Sequence, residues 1–161
     1  MAAEPDLGTV LGILAEAAVW MRDERGIRDQ WSPVVPEDPF AQAIRDGEQF
    51  LICWGSEVAG TMRIHQADPA IWGPDDGGAL YCHSLAIRRR YAGQGLGGAA
   101  LDAAQERGRA LGRQVIRLDC IASNRGLRRF YEGLGFASRG TITRRHEDGS
   151  TWTAARYQRP A

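Results

Sequence analysis

Length, composition and charge set the outer bounds. The chain has 161 residues, 43% of them hydrophobic, with 20 basic side chains balanced by 20 acidic ones. This fits one soluble globular domain over residues 1–161 with a self-sufficient core; zero formal charge leaves no footprint for nucleic acid or a membrane surface, and no apolar run reaches the roughly 18 residues of a spanning helix.

Every basic residue is arginine, which excludes a lysine nucleophile. Cys53, Cys82 and Cys120 form an odd set without metal-ligand spacing, read as reduced thiols of a cytoplasmic chain, with Cys82 and Cys120 as small core residues on neighbouring strands. His65, His83 and His146 are too scattered for a zinc site, so no metal is expected. No secretory apolar region opens the chain.

Taken in chain order, Leu7, Val10, Leu11, Leu14, Ala18 and Met21 recur at helical spacing, predicting a helix over Leu7–Glu24 that Asp6 could cap. Arg25–Pro36 reads as a loop with an exposed-looking Trp31. Asp38-Pro39 opens a second helix with proline at its first position, ending near Gly47. Phe50–Trp54 and Val58–Ile64 read as strands joined by Gly55-Ser56-Glu57. Gln66–Gly78 is a polar loop. Leu80–Ile87 is a strand, Gly98–Leu111 a helix with Gly112 as its C-cap, Val115–Cys120 a strand and Arg125–Glu132 a short helix. Phe136–Thr143 and Thr151–Gln158 close the chain as a hairpin across Glu147-Asp148-Gly149. The pattern is α+β, with a mixed, mostly antiparallel sheet flanked by helices.

The stretch Leu80–Gly98, LYCHSLAIRRRYAGQGLGG, carries the most information. A strand, a glycine-dense turn and a helix follow one another, an order that aims free backbone N–H groups at an anion, best a pyrophosphate. Gly93, Gly95 and Gly98 satisfy G-x-G-x-x-G, and Asp119 ends a strand downstream; on paper that is a nicotinamide-dinucleotide fingerprint. A doubly wound sheet needs more βα units than the remaining chain offers.

A second reading uses more of the chain. Arg90-Tyr-Ala-Gly93-Gln94-Gly95-Leu96-Gly97 resembles the R/Q-x-x-G-x-G/A signature of the GNAT N-acetyltransferase superfamily. Asn124 followed by a helix bearing Tyr131 and then Leu134-Gly135-Phe136 resembles that family's second signature. The resemblance implies a GNAT fold whose sheet splays at an acetyl-CoA site, and transfer of acetyl from acetyl-CoA to a primary amine, a small molecule first, by direct attack in a ternary complex. It leaves one departure: the family's opening strand has no counterpart in Met1–Pro5, so that edge strand is either absent or precedes this start.

By the same resemblance, Arg90, Gly93, Gln94, Gly95, Leu96 and Gly97 line the pyrophosphate. Leu85, Ala86 and Ile87 lie along the pantetheine arm, with the Leu85 or Ala86 N–H as oxyanion donor. Asn124 and Arg128 or Arg129 meet the pantetheine or the adenosine phosphates from the other side, and Tyr131 is the general acid for the departing thiolate. Of Arg88, Arg89 and Arg90 at most two can face one ligand. Strand alternation puts Tyr81, His83, Leu85 and Ile87 on one face and Cys82, Ser84 and Ala86 on the other. His83 is the one side chain there whose ordinary pKa suits proton relay near neutrality. Tyr81-Cys82-His83-Ser84-Leu85 also resembles the strand of arylalkylamine N-acetyltransferases, which carry histidine at the positions of both Tyr81 and His83. Asp119 is read as structural or a distant orienter.

The acceptor is expected between Gly26–Pro33 and Arg144–Ser150, with Trp20, Trp31, Phe40 and Trp72 as candidate aromatic walls and Glu147 and Asp148 as candidate attractors of a cationic amine. A monomer or homodimer is expected. A non-catalytic acyl-CoA-binding domain is the competing function.

Overall fold

A computed structural model describes residues 1–27, 31–74, 77–145 and 149–161. Six strands and five α-helices form an α+β fold with strand order β1-β2-β3-β4-β6-β5. They are α1 (Leu7–Arg25), α2 (Asp38–Arg45), β1 (Gln49–Trp54), β2 (Glu57–His65), α3 (Pro69–Trp72), β3 (Ala79–Ile87), α4 (Leu96–Ala110), β4 (Val115–Ile121), α5 (Arg125–Gly133), β5 (Ala137–Arg145) and β6 (Thr151–Pro160). Among the described residues, no helix is long and apolar enough to cross a membrane. The chain divides into two compact units, one of Met1–Ile64 with His83–Asp102, the other of His65–Cys82 with Ala103–Ala161.

In the first unit, the apolar stripe of α1 buries Val10, Ile13, Leu14, Ala18 and Met21. Val10, Ile13 and Leu14 meet Phe40 of α2 and Ala86 of β3 in one core. Trp31 and Val35 pack against that core as well, so the loop that follows α1 is anchored by its apolar side chains. The expected cap of α1 does not form: Asp6 instead accepts the N–H of Ala3 at 2.8 Å, closing a single 3-10 turn ahead of the helix. Proline takes the second position of α2, behind Asp38. Ala2 donates its N–H to the Gln49 carbonyl at 2.9 Å, a single bond along the edge of β1.

The β1–β2 hairpin is antiparallel, with a register shift at Ile52/Cys53. Buried Gln49 donates to the Thr61 hydroxyl at 2.6 Å, which donates to the Phe50 carbonyl at 2.9 Å, while Oε1 of Gln49 is buried with no hydrogen-bond partner among the described residues. Gly60 is required by space. A Cβ there would lie 2.5 Å from the Ala86 carbonyl oxygen and 2.7 Å from Ile87 Cδ1.

In the second unit, β3 and β4 pair in parallel from Ala79–Val115 to Cys82–Leu118, and β6 pairs antiparallel with both β4 and β5. Ile116, Leu118 and Cys120 of β4 are buried, as are Tyr131 of α5, Phe136 and Tyr157 of β6. The polar loop expected over Gln66–Gly78 contains a helix. Asp68 accepts the Ile71 N–H at 3.3 Å and starts α3, which stops at Gly73. Proline at its opening and glycine at its end are loop signals in the sequence, and a four-residue helix is too short for any periodicity to offset them.

Gly60→Ala forces the β3 backbone aside. It is expected to cost about 1–3 kcal/mol, lowering the thermal midpoint by about 2–4 °C per kcal/mol in a chain of this size. A melt indistinguishable from wild type would show that β2 and β3 do not approach so closely.

Candidate functional site

The first unit holds the anion-binding turn. After β3, Arg88 donates its N–H to the Ala59 carbonyl at 2.8 Å, and Arg89–Tyr91 form a 3-10 turn. Gly93 and Gly95 then take φ of 81° and 75°, values that favour glycine strongly. A Cβ at either would meet nothing within 4 Å, so it is backbone conformation and not crowding that calls for glycine, and the space above the turn is open. The first helical bond runs from Ala99 N–H to the Gly95 carbonyl at 3.1 Å. The N–H groups of Leu96, Gly97 and Gly98 therefore have no acceptor within α4, and the helix dipole adds positive potential. The helix begins at Leu96, two residues before the expected Gly98, which places Leu96 and Gly97 in this donor-bearing first turn.

The three arginines ahead of the turn have separate partners. Arg88 pairs with Glu16 of α1 at 3.1 Å, and the same carboxylate accepts the Arg89 N–H at 2.8 Å. The Arg89 guanidinium lies 3.8 Å over the Trp20 ring, on which Arg25 also stacks at 5.5 Å. Arg90 lies 3.2 Å from Glu57, which also accepts from the Tyr91 hydroxyl. Arg90 and Glu57 are both 63% exposed; such surface pairs hold by about 0–1 kcal/mol. Arg88 and Arg89 are fastened to α1, while Arg90 can exchange its partner for a ligand anion.

Just upstream, Ser84 takes φ 51°, the left-handed region that a non-glycine side chain enters only at a cost of about 1–3 kcal/mol. It interrupts the extended backbone of β3 in the manner of a bulge. Simple alternation therefore cannot be counted through Ser84, from Tyr81–His83 on one side of it to Leu85–Ile87 on the other. Ala86 turns its side chain into the core beside Val10, Ile13 and Phe40. His83, next to the bulge, is half-buried.

The second unit holds Tyr131. Its ring is 6% exposed and set among Phe130, Phe136 and Tyr157, with centroids 5.6, 6.0 and 5.8 Å away. Burial, with Cys120, Asp119 and Cys82 nearby, raises its pKa well above the ordinary phenol value. Near neutral pH it keeps its proton. Asn124 caps α5, accepting the Leu127 N–H at 3.0 Å. Arg128 donates to the Tyr157 hydroxyl at 3.0 Å, which donates to Glu132 at 2.9 Å. Burial pushes the thiols of Cys82 and Cys120 up to about 12, which keeps them as neutral core groups.

An acid pair in this unit escaped the sequence. Carboxylate oxygens of Asp68 and Asp119 lie within 4.8 Å of one another. Burial first, and then Asp68, raise Asp119 to about 7; burial raises Asp68 also. Nothing in the spacing joins a residue of a polar loop to one on β4, so only the folded chain reveals the pair.

The aromatic candidates separate too. Phe40 and Trp31 belong to the first unit's core, which corrects the exposed-looking Trp31; Trp20 carries Arg89, and Trp72 lies 6.3 Å from Tyr81 in the second unit. His146, Glu147 and Asp148 lie outside the described residues.

Folded Asp119 ionises near 7, against an ordinary value of 3.8. The folded chain therefore binds more protons than the unfolded one between those values, and stability falls as pH rises from about 4 to about 7. The thermal midpoint of Asp119→Asn, relative to wild type, is expected to climb across that window and level off above it. A pH-independent difference would contradict the placement of Asp119.

Comparison with known proteins fits this geometry. The sequence profile of the acetyltransferase (GNAT) family matches residues 14–136. Over 144 residues the chain is 34% identical to the uncharacterized N-acetyltransferase YesJ of Bacillus subtilis, covering 84% of this chain and 78% of the relative. A GNAT-family acetyltransferase crystal structure from Listeria monocytogenes superposes with a TM-score of 0.75 at 26% identity, over 99% of this chain and 92% of that one. The structure of yncA from Salmonella typhimurium, a putative acetyltransferase described with its cofactor acetyl-CoA, superposes with a TM-score of 0.71 at 16% identity, over 99% and 90% of the two chains. The profile covers both the glycine turn and the tyrosine helix, and the chain accordingly belongs to the GNAT acetyltransferase family and is an acyltransferase.

Proposed function

We propose that this chain moves an acetyl group from acetyl-CoA to a primary amine of a small molecule, by direct attack while both substrates are bound. The observation that carries this reading is the turn of Gly93–Gly97, where glycine φ values and a helix start leave backbone donors facing open space. Such a turn suits a pyrophosphate. Arg90, released from Glu57, adds a cation, and Gln94 lies between the two glycines. Leu85, Ala86 and Ile87 take the pantetheine arm, and Asn124 and Arg128 are assigned to the cofactor by their match to the family's second signature.

The chemistry has three needs. An alkyl ammonium, with an ordinary pKa of about 10.4, must lose a proton before its nitrogen can attack; His83 is assigned that relay. The thioester oxygen gains negative charge as the tetrahedral intermediate forms, and the N–H of Leu85 or Ala86 beside the Ser84 bulge is assigned to it. The C–S bond then breaks, and Tyr131 gives its proton to the departing sulfur. A phenol at its ordinary pKa of about 10 already holds its proton at working pH, and burial raises it further, so the role rests on the match of Tyr131 to the family's second signature and not on the shift. The nitrogen, positively charged once it has attacked, sheds its second proton as the C–S bond breaks, and that proton restores the Tyr131 phenol.

Steady-state kinetics of Tyr131→Phe and His83→Ala across pH test these roles. Loss of a positioned general acid is expected to lower kcat by about 10²–10⁴-fold, with the KM for acetyl-CoA nearly unchanged in Tyr131→Phe. In His83→Ala the acidic limb of the rate profile is expected to disappear. A wild-type profile in either variant would remove that residue from the mechanism.

A further inference from the structure

On the second unit's sheet, Asp119 of β4 and Arg156 of β6 are directly opposed across an antiparallel ladder. Residues so placed share a face, with backbones about 5 Å apart, and opposite charges there ordinarily pair. Arg156 turns elsewhere. Its Nη1 donates to the Ile71 carbonyl at 3.5 Å and its Nη2 to the Arg139 carbonyl at 3.1 Å. Its Nε is buried and has no hydrogen-bond partner among the described residues. The same is true of Nε1 of Trp72, whose ring lies 5.4 Å from the Arg156 guanidinium carbon and 5.0 Å from that of Arg117.

Two buried donors, one on a permanent cation, therefore stand together with no acceptor among the described residues, a costly arrangement. A carboxylate oxygen of the neighbouring Asp119 lies within 4.8 Å of one of Asp68. A cation with orphaned donors on one side and an acid pair on the other match a molecule that carries a carboxylate and an ammonium on one carbon. Access to the donors requires Arg156 to give up its contact with Ile71, which at 3.5 Å is at the limit of a hydrogen bond. A charge-assisted bond to a carboxylate is shorter and stronger.

We propose that the acceptor is an α-amino acid, its carboxylate held at Arg156 beside Trp72 and its amino group at Asp119 and Asp68. This rests on the acetyltransferase reading and narrows its substrate class. The same side of β4 and β6 then selects the acceptor by charge, independently of its side chain.

The test compares the L-amino acids with their α-carboxamides as acceptors of wild-type enzyme, following CoA thiol release from acetyl-CoA. Removing the carboxylate while keeping the amine is expected to lower kcat/KM at least about tenfold, the scale of one charged hydrogen bond. Arg156→Gln is expected to raise the KM of the best amino acid by a similar factor with the KM of acetyl-CoA kept, and Arg156→Lys to recover part of the loss. Equal turnover of acids and amides by wild type would overturn the inference and leave Arg156 as a strut for α3, with the acetyltransferase reading standing. No turnover of either set, in a protein that acetylates other primary amines, would overturn this inference and leave the acetyltransferase reading standing.

Discussion

An α-helix cannot satisfy the N–H groups of its own first turn, and in this chain that constraint is turned outward. The first intrahelical bond of α4 reaches back to Gly95, so the donors of Leu96, Gly97 and Gly98 need an acceptor from outside the helix. Gly93 and Gly95, in left-handed conformations, bend the chain from β3 into α4 without placing a side chain over those donors. The packing before the turn serves the same end. Glu16 fixes Arg88 and the backbone of Arg89 to α1, and Trp20 takes the Arg89 guanidinium. The approach to the turn is thereby set before any ligand arrives, which lowers the ordering cost of binding.

Burial does different work in the second unit. Tyr131, Cys82, Cys120 and Asp119 are all pushed toward their protonated forms. For the two thiols this means inertness. In Tyr131 it means a phenol that stays protonated, and in Asp119 an ionisation brought into the neutral range. The same physical term, loss of solvation for a charged form, thus separates packing residues from candidate participants only when joined to position: Tyr131 follows the family's second signature, while the two cysteines sit within strands.

How much of this was legible in the sequence depended on whether the determinant was local. Helix α1 declares itself through apolar spacing, and the glycine turn through residue types that suit few other backbones. The signature around Asn124 and Tyr131 is likewise contiguous. Helix α3 is local but too short to show a period, and it is framed by residues that otherwise mark loops. The Ser84 bulge has no glycine to announce it, so strand alternation was carried past the point where it fails. The Asp68–Asp119 pair and the Trp72–Arg156 stack join positions distant along the chain; no spacing rule reaches them. The acid at position 6 illustrates the opposite error, a helix-capping residue type at the right place that bonds to Ala3 instead.

The account turns on whether the Gly93–Gly97 turn binds a pyrophosphate belonging to CoA. Calorimetric titration of the wild-type chain with CoA, with pantetheine, which lacks the pyrophosphate and nucleotide, and with NADH tests this most directly. CoA is expected to bind at least about a hundredfold more tightly than pantetheine, since two or more charge-assisted hydrogen bonds separate them, and NADH not to compete with it. Equal affinity for CoA and pantetheine, or binding of NADH in preference to CoA, would contradict the central claim.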